Sequence, residues 1–91
     1  MIGQFVISKA GHDKGEIYVI VAEEKDFVYL SDGRLKLPEK PKKKRKKHIQ
    51  PIKQGMDEAI TEKLKQEIPV RNEEVKKVIK DFIRKKEASD V

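Results

Sequence analysis

The sequence predicts an α+β protein, a small antiparallel β-barrel of four or five short strands followed by two helices. Three observations carry this. Over the first 53 residues, β-branched and aromatic residues fall in short runs separated by turn residues. From Met56 onward the apolar residues change to helical spacing. Late in the first half lies a run of six consecutive cations, Lys42-Lys43-Lys44-Arg45-Lys46-Lys47, with Pro38, Pro41 and Pro51 around it.

The elements follow in order. Gln4 to Ser8 reads as a strand. Ala10 to Gly15 is a loop, because it holds two glycines and an Asp. Ile17 to Glu23 is the strongest strand, since it has no helical period. Glu24-Lys25-Asp26 is too short to join anything but antiparallel neighbours, so Phe27 to Leu30 hairpins back. Asp32-Gly33 is a tight turn in which Gly supplies positive φ, and Arg34 to Leu37 is expected to pair back as a short strand. Pro38 and Pro41 stop regular pairing, because proline has no N–H to give. The cation run is expected to be extended or mobile, since like charges repel. Ile49 and Ile52 are expected to return the chain to the core.

Met56, Ile60 and Leu64 repeat at four-residue spacing with Ala59 beside them, which predicts a helix over 56–67 that Pro69 ends. Asn72 is a good N-cap, and Glu73 and Glu74 follow where the helix dipole favours carboxylates. Val75, Val78, Ile79, Phe82 and Ile83 form an amphipathic stripe, which predicts a helix over 73–86 with residues 87–91 fraying. The expected organisation is a barrel over 1–53, with a basic loop at 40–48, and a helical extension over 54–91.

The charge is unevenly placed. Of the net +6, residues 1–33 contribute −3, residues 34–53 contribute +9 and residues 54–91 contribute nothing. A near-neutral molecule with one concentrated positive element is suited to a localised polyanion site. With no Cys among 91 residues, disulfides and thiolate metal sites are excluded. Ile17 to Ala22, the longest apolar run, is far short of the ~20 residues of a membrane span. No signal peptide is expected at Met1 to Gln4. His12 and His48 each lack a neighbouring ligand, and no nucleophile–base or paired-carboxylate arrangement is legible. Neither enzyme nor cofactor is therefore expected.

Val6-Ile7-Ser8, then Gly11-His12-Asp13-Lys14-Gly15, the apolar strand to Val21, and Phe27 to Leu30 with Ser31-Asp32-Gly33 resemble the KOW family. This is the RNA-binding motif of certain ribosomal proteins and of bacterial elongation and antitermination factors. The chain looks most like large-subunit ribosomal proteins with an N-terminal KOW barrel, and like short bacterial proteins similar to them. In these a Gly-x-Asp-x-Gly turn precedes a Val/Ile strand, and a basic stretch with a final strand follows, matched here by Lys42 to Ile49. The resemblance covers residues 1–53. It implies an SH3-like barrel, with Gly11, Asp13 and Gly15 as its structural motif and Gly15 as the anchor. It also implies RNA binding and ribosome association in the cytoplasm.

The candidate RNA contacts are Lys9, His12 and Lys14 in the first loop, Arg34, Lys36 and Lys40 beyond the second turn, and Lys42, Lys43, Lys44, Arg45, Lys46, Lys47 and His48. Cations of this kind neutralise phosphates without reading sequence. By two-residue alternation Val28 and Leu30 share one face and Phe27 and Tyr29 the other. Tyr29, Phe27 or Tyr18, if exposed, would stack on an unpaired base. The run also resembles a nuclear localisation signal, and its blandest reading is a solvated loop. The expected function is RNA binding, with rRNA as the partner. The alternative is a protein-interaction module of the transcription or translation machinery, docking or dimerising through Val75, Val78, Ile79, Phe82 and Ile83. Non-specific DNA binding is a third reading.

Overall fold

Val6, Ile20, Val28 and Leu30 are fully buried on neighbouring strands, and the register of one antiparallel sheet puts them there. The computed structural model describes residues 1–89, side chains at 54, 55 and 86–89 excepted. The strands are β1 (Gln4–Ser8), β2 (Ile17–Glu23), β3 (Phe27–Ser31), β4 (Lys42–Arg45) and β5 (Ile49–Met56). A single 3-10 turn, Lys46–His48, joins β4 to β5, and the helices α1 (Glu58–Lys65) and α2 (Asn72–Ser89) follow. The sheet order is β4-β3-β2-β1-β5, antiparallel throughout. The expected α+β architecture is therefore what forms. The sheet is barrel-like but not closed, because its two edges, β4 and β5, do not pair with each other.

Alternation sends the strands' side chains to two cores. On one face Val6, Tyr18, Ile20, Val28, Leu30 and Ile49 pack together. On the other, Phe5 and Val19 meet Ile60 of α1, Val70 of the helix link, and Val75 and Ile79 of α2. Phe82 stacks on Phe5 with ring centroids 4.6 Å apart. The stripe read as a docking or dimerisation face is thus occupied by the sheet. Val78 and Phe82 pack against that core, and Ile83 alone of the five is exposed. Among the described residues no helix is long and apolar enough to cross a membrane.

Four expectations are corrected. Arg34 to Leu37 is not a strand, because Asp32 captures its backbone. Asp32 Oδ1 accepts the N–H groups of Arg34, Leu35 and Lys36 at 2.9, 3.1 and 2.9 Å, and those donors are lost to any ladder. The basic loop expected at 40–48 is strand β4 over the run's first four cations and a 3-10 turn from Lys46, so of the two states expected for the run, extended and mobile, the extended one forms. The helix expected over 56–67 starts later. Met56 stays in β5 opposite Gln4, and Asp57 caps α1, its Oδ1 accepting the Ile60 N–H at 3.0 Å. The second helix runs further than expected, through Ser89, and residues 90 and 91 of the expected fray lie outside the described residues.

Two local features fix how the helices sit. Gly33, at φ +71°, lies so close to α2 that a Cβ there would come within 2.6 Å of the Lys76 nitrogen. At the end of α1 the Ile68 N–H reaches back to the Lys63 carbonyl at 2.8 Å, which requires a left-handed residue between them. That residue is Glu67, at φ +58°. Glu67→Gly is therefore expected to stabilise the protein by about 0.5–1 kcal/mol, the β-carbon strain relieved less glycine's added unfolded-state freedom. Urea unfolding measures it, and a loss of stability would show that the turn carries no such strain.

Candidate nucleic-acid interface

The register of β4 on β3 divides the basic run. Val28 pairs with Lys44 and Leu30 with Lys42, so these lysines share the buried face of their partners. Phe27 pairs with Arg45 and Tyr29 with Lys43, so these cations share the outer face. Alternate residues of one homogeneous run therefore meet opposite surroundings.

Inside, Lys44 is 9% exposed and needs a counter-charge. The loop after β1 supplies it. Lys44 Nζ donates to Asp13 Oδ1 at 2.6 Å, to the Ala10 carbonyl at 2.7 Å and to Ser8 Oγ. Lys42 Nζ donates to Asp13 Oδ2 at 2.8 Å. Ser8 Oγ and the Tyr18 hydroxyl donate to the same carboxylate at 2.8 and 3.1 Å. Burial works against ionising Asp13, but the hydrogen bonds from Lys42, Lys44, Ser8 and Tyr18 prevail and hold its carboxyl well below the usual carboxylate range. Burial, and then its bond to Asp13, push the Tyr18 phenol up. Tyr18 is buried in this cluster and offers no stacking face. Lys46, on the 3-10 turn, pairs with Glu23 at 2.7 Å and is partly exposed.

Outside, Lys43 Nζ lies 4.4 Å from the Phe27 ring centroid and 5.9 Å from that of Tyr29, and the Arg45 guanidinium lies 5.1 Å from Phe27. Both rings are half-buried, and the Tyr29 hydroxyl donates to Glu24. Lys43, Arg45 and Lys47 are exposed, and none has a carboxylate partner among the described residues. Of the three rings weighed for stacking, Phe27 and Tyr29 thus lie on the outer face beside the cations, as the two-residue alternation groups them.

The remaining candidates fall into two places. His12, Arg34, Lys36 and Lys42 line one hollow of about 430 Å³ between the β1–β2 loop and the loop after β3. Asp13, Glu16 and Asp32 also face it, the two aspartates already engaged as described and Glu16 exposed. Lys9, Lys14 and Lys40 are exposed outside that lining, and His48 is half-buried, its carbonyl accepting the Lys9 N–H at 2.8 Å. Of the expected structural motif, Asp13 is the working member. Gly11 and Gly15 turn the loop at φ +88° and +92°, and Gly15 has nothing near its missing Cβ, so it anchors by conformation alone. Compared with known proteins, the chain matches no family model and no curated protein.

Proposed function

We propose that this protein binds RNA through the outward half of β4, with the two loops around the 430 Å³ hollow completing the contact. One observation carries the reading. Ion pairs occupy Lys42, Lys44 and Lys46, and the alternate residues Lys43, Arg45 and Lys47 are left as exposed cations, two of them against Phe27. Fixed cations beside an aromatic surface suit phosphates flanking an exposed base. The KOW resemblance of residues 1–53 supports RNA over DNA, and rRNA within a cytoplasmic ribosomal setting as the natural partner.

The test is a titration of structured RNA at several salt concentrations. On structured RNA the three outward cations of the run contribute about −3 to the slope of log K on log salt and the loop cations add to this, whereas an undivided run of six would contribute about −5. A slope near zero would refute phosphate binding. Competition by duplex DNA of the same sequence decides between the nucleic acids.

A further inference from the structure

Leu35 is 86% exposed, more than any other large apolar side chain among the described residues. It does not sit on a slack loop. Asp32 Oδ1 binds its N–H and those of both neighbours. The Lys36 carbonyl accepts from the Asp32 and Gly33 N–H groups at 3.0 and 3.2 Å and from Ser31 Oγ at 2.7 Å. Beneath, Gly33 lies against the first turns of α2. The loop is thus held from below while its tip presents an aliphatic side chain to water. The residues either side are cations, Arg34 exposed and Lys36 half-buried, and the three share the hollow with His12 and Lys42.

We infer that Leu35 is an apolar wedge that enters the bound RNA where base stacking is interrupted, with Arg34 and Lys36 taking the phosphates on either side. The inference rests on the RNA reading and names its substrate class, a helix carrying a bulge or internal loop. A continuous A-form helix offers no gap to such a side chain, because entry would unstack paired bases. At a bulge the stack is already broken and an aliphatic tip replaces water against the exposed base faces. A preformed loop does this without ordering cost at the moment of binding.

The experiment uses the full chain and two RNAs, a blunt duplex and the same duplex with a two-nucleotide bulge flanked by 2-aminopurine. The wild-type chain is expected to prefer the bulged RNA and to change the 2-aminopurine fluorescence. Leu35→Ala should weaken binding to the bulged RNA roughly tenfold, abolish the fluorescence change and leave duplex binding and the salt slope unaltered. Leu35→Phe should retain the preference. An unchanged melting temperature for both variants keeps folding out of the comparison. If Leu35→Ala binds both RNAs as the wild type does, or loses both equally, the wedge is refuted while RNA binding stands. If the wild-type chain binds neither RNA at low salt, the RNA reading itself fails.

Discussion

Asp13→Ala is expected to cost about 3–5 kcal/mol of folding stability, the largest effect of any single substitution considered for this protein. The change strands Lys44, a lysine 9% exposed, beside a hydroxyl and a carbonyl with no counter-charge, and it removes the partner of Lys42. Domains of this size have stabilities at the lower end of about 5–15 kcal/mol, so much of the margin would go. Urea unfolding measures the loss. The double variant Asp13→Ala with Lys44→Met should recover a good part of it, because an apolar side chain in place of a stranded charge removes the desolvation cost. A loss below ~1 kcal/mol, no larger than an exposed ion pair gives, would mean that Asp13 does not hold β4 in place. The same carboxylate sets an acid limit. Its folded pKa lies below its unfolded value of roughly 4. Its contribution is therefore complete above about pH 4 and is lost as pH falls further toward the folded value. The acid sensitivity below pH 4 should shrink in the double variant.

Replacing Lys43, Arg45 and Lys47 together with alanine is expected to weaken RNA binding by roughly tenfold or more and to reduce the salt slope by about 3. These are the members of the run that the fold leaves outward. Removing them leaves the Asp13 cluster untouched, so the fold should survive. Lys46→Ala is the contrasting variant, since Lys46 already neutralises Glu23 and its loss should change the slope by less than any outward cation does. Equal effects along the run would mean that it acts as an unstructured polycation, contrary to the division that the β3–β4 register makes. Fluorescence anisotropy with one RNA across a salt series reads both quantities.

Much of the architecture is legible in the sequence, and the physical reason is contrast. In β2 and β3 unbroken runs of β-branched and aromatic residues are bounded by polar turn residues, so the strands can be read. In α2 the stripe at Val75, Val78, Ile79, Phe82 and Ile83 gives both the helix and its buried side. Strand β4 has no such contrast. Six cations look alike, lysine is a poor strand former, and the charges repel. What makes them a strand lies elsewhere in the chain, in Asp13, which is 29 and 31 residues from Lys42 and Lys44, and in the rings of β3. The loop at Asp32 failed for a related reason. Arg34 to Leu37 has the composition of a short strand, but one carboxylate oxygen claims three successive amides, a local competition that side-chain alternation does not encode. In the candidate interface, the sequence supplied nearly all the cations. It did not show which of them were already neutralised, because that depends on register.

Strand β4 is also the last strand of an open sheet, paired on one side only. A bare sheet edge invites a second molecule to add its own strand, and long flat edges are where folded proteins begin to aggregate. Here the edge is four residues long, every one of them cationic, and two of its lysines, Lys42 and Lys44, point inward to Asp13. Two copies approaching edge to edge would bring like charges together along the whole strand. The arrangement that presents cations to a polyanion thus also keeps copies of the protein apart. Neutralising that edge would remove a barrier to self-assembly as well as a binding surface.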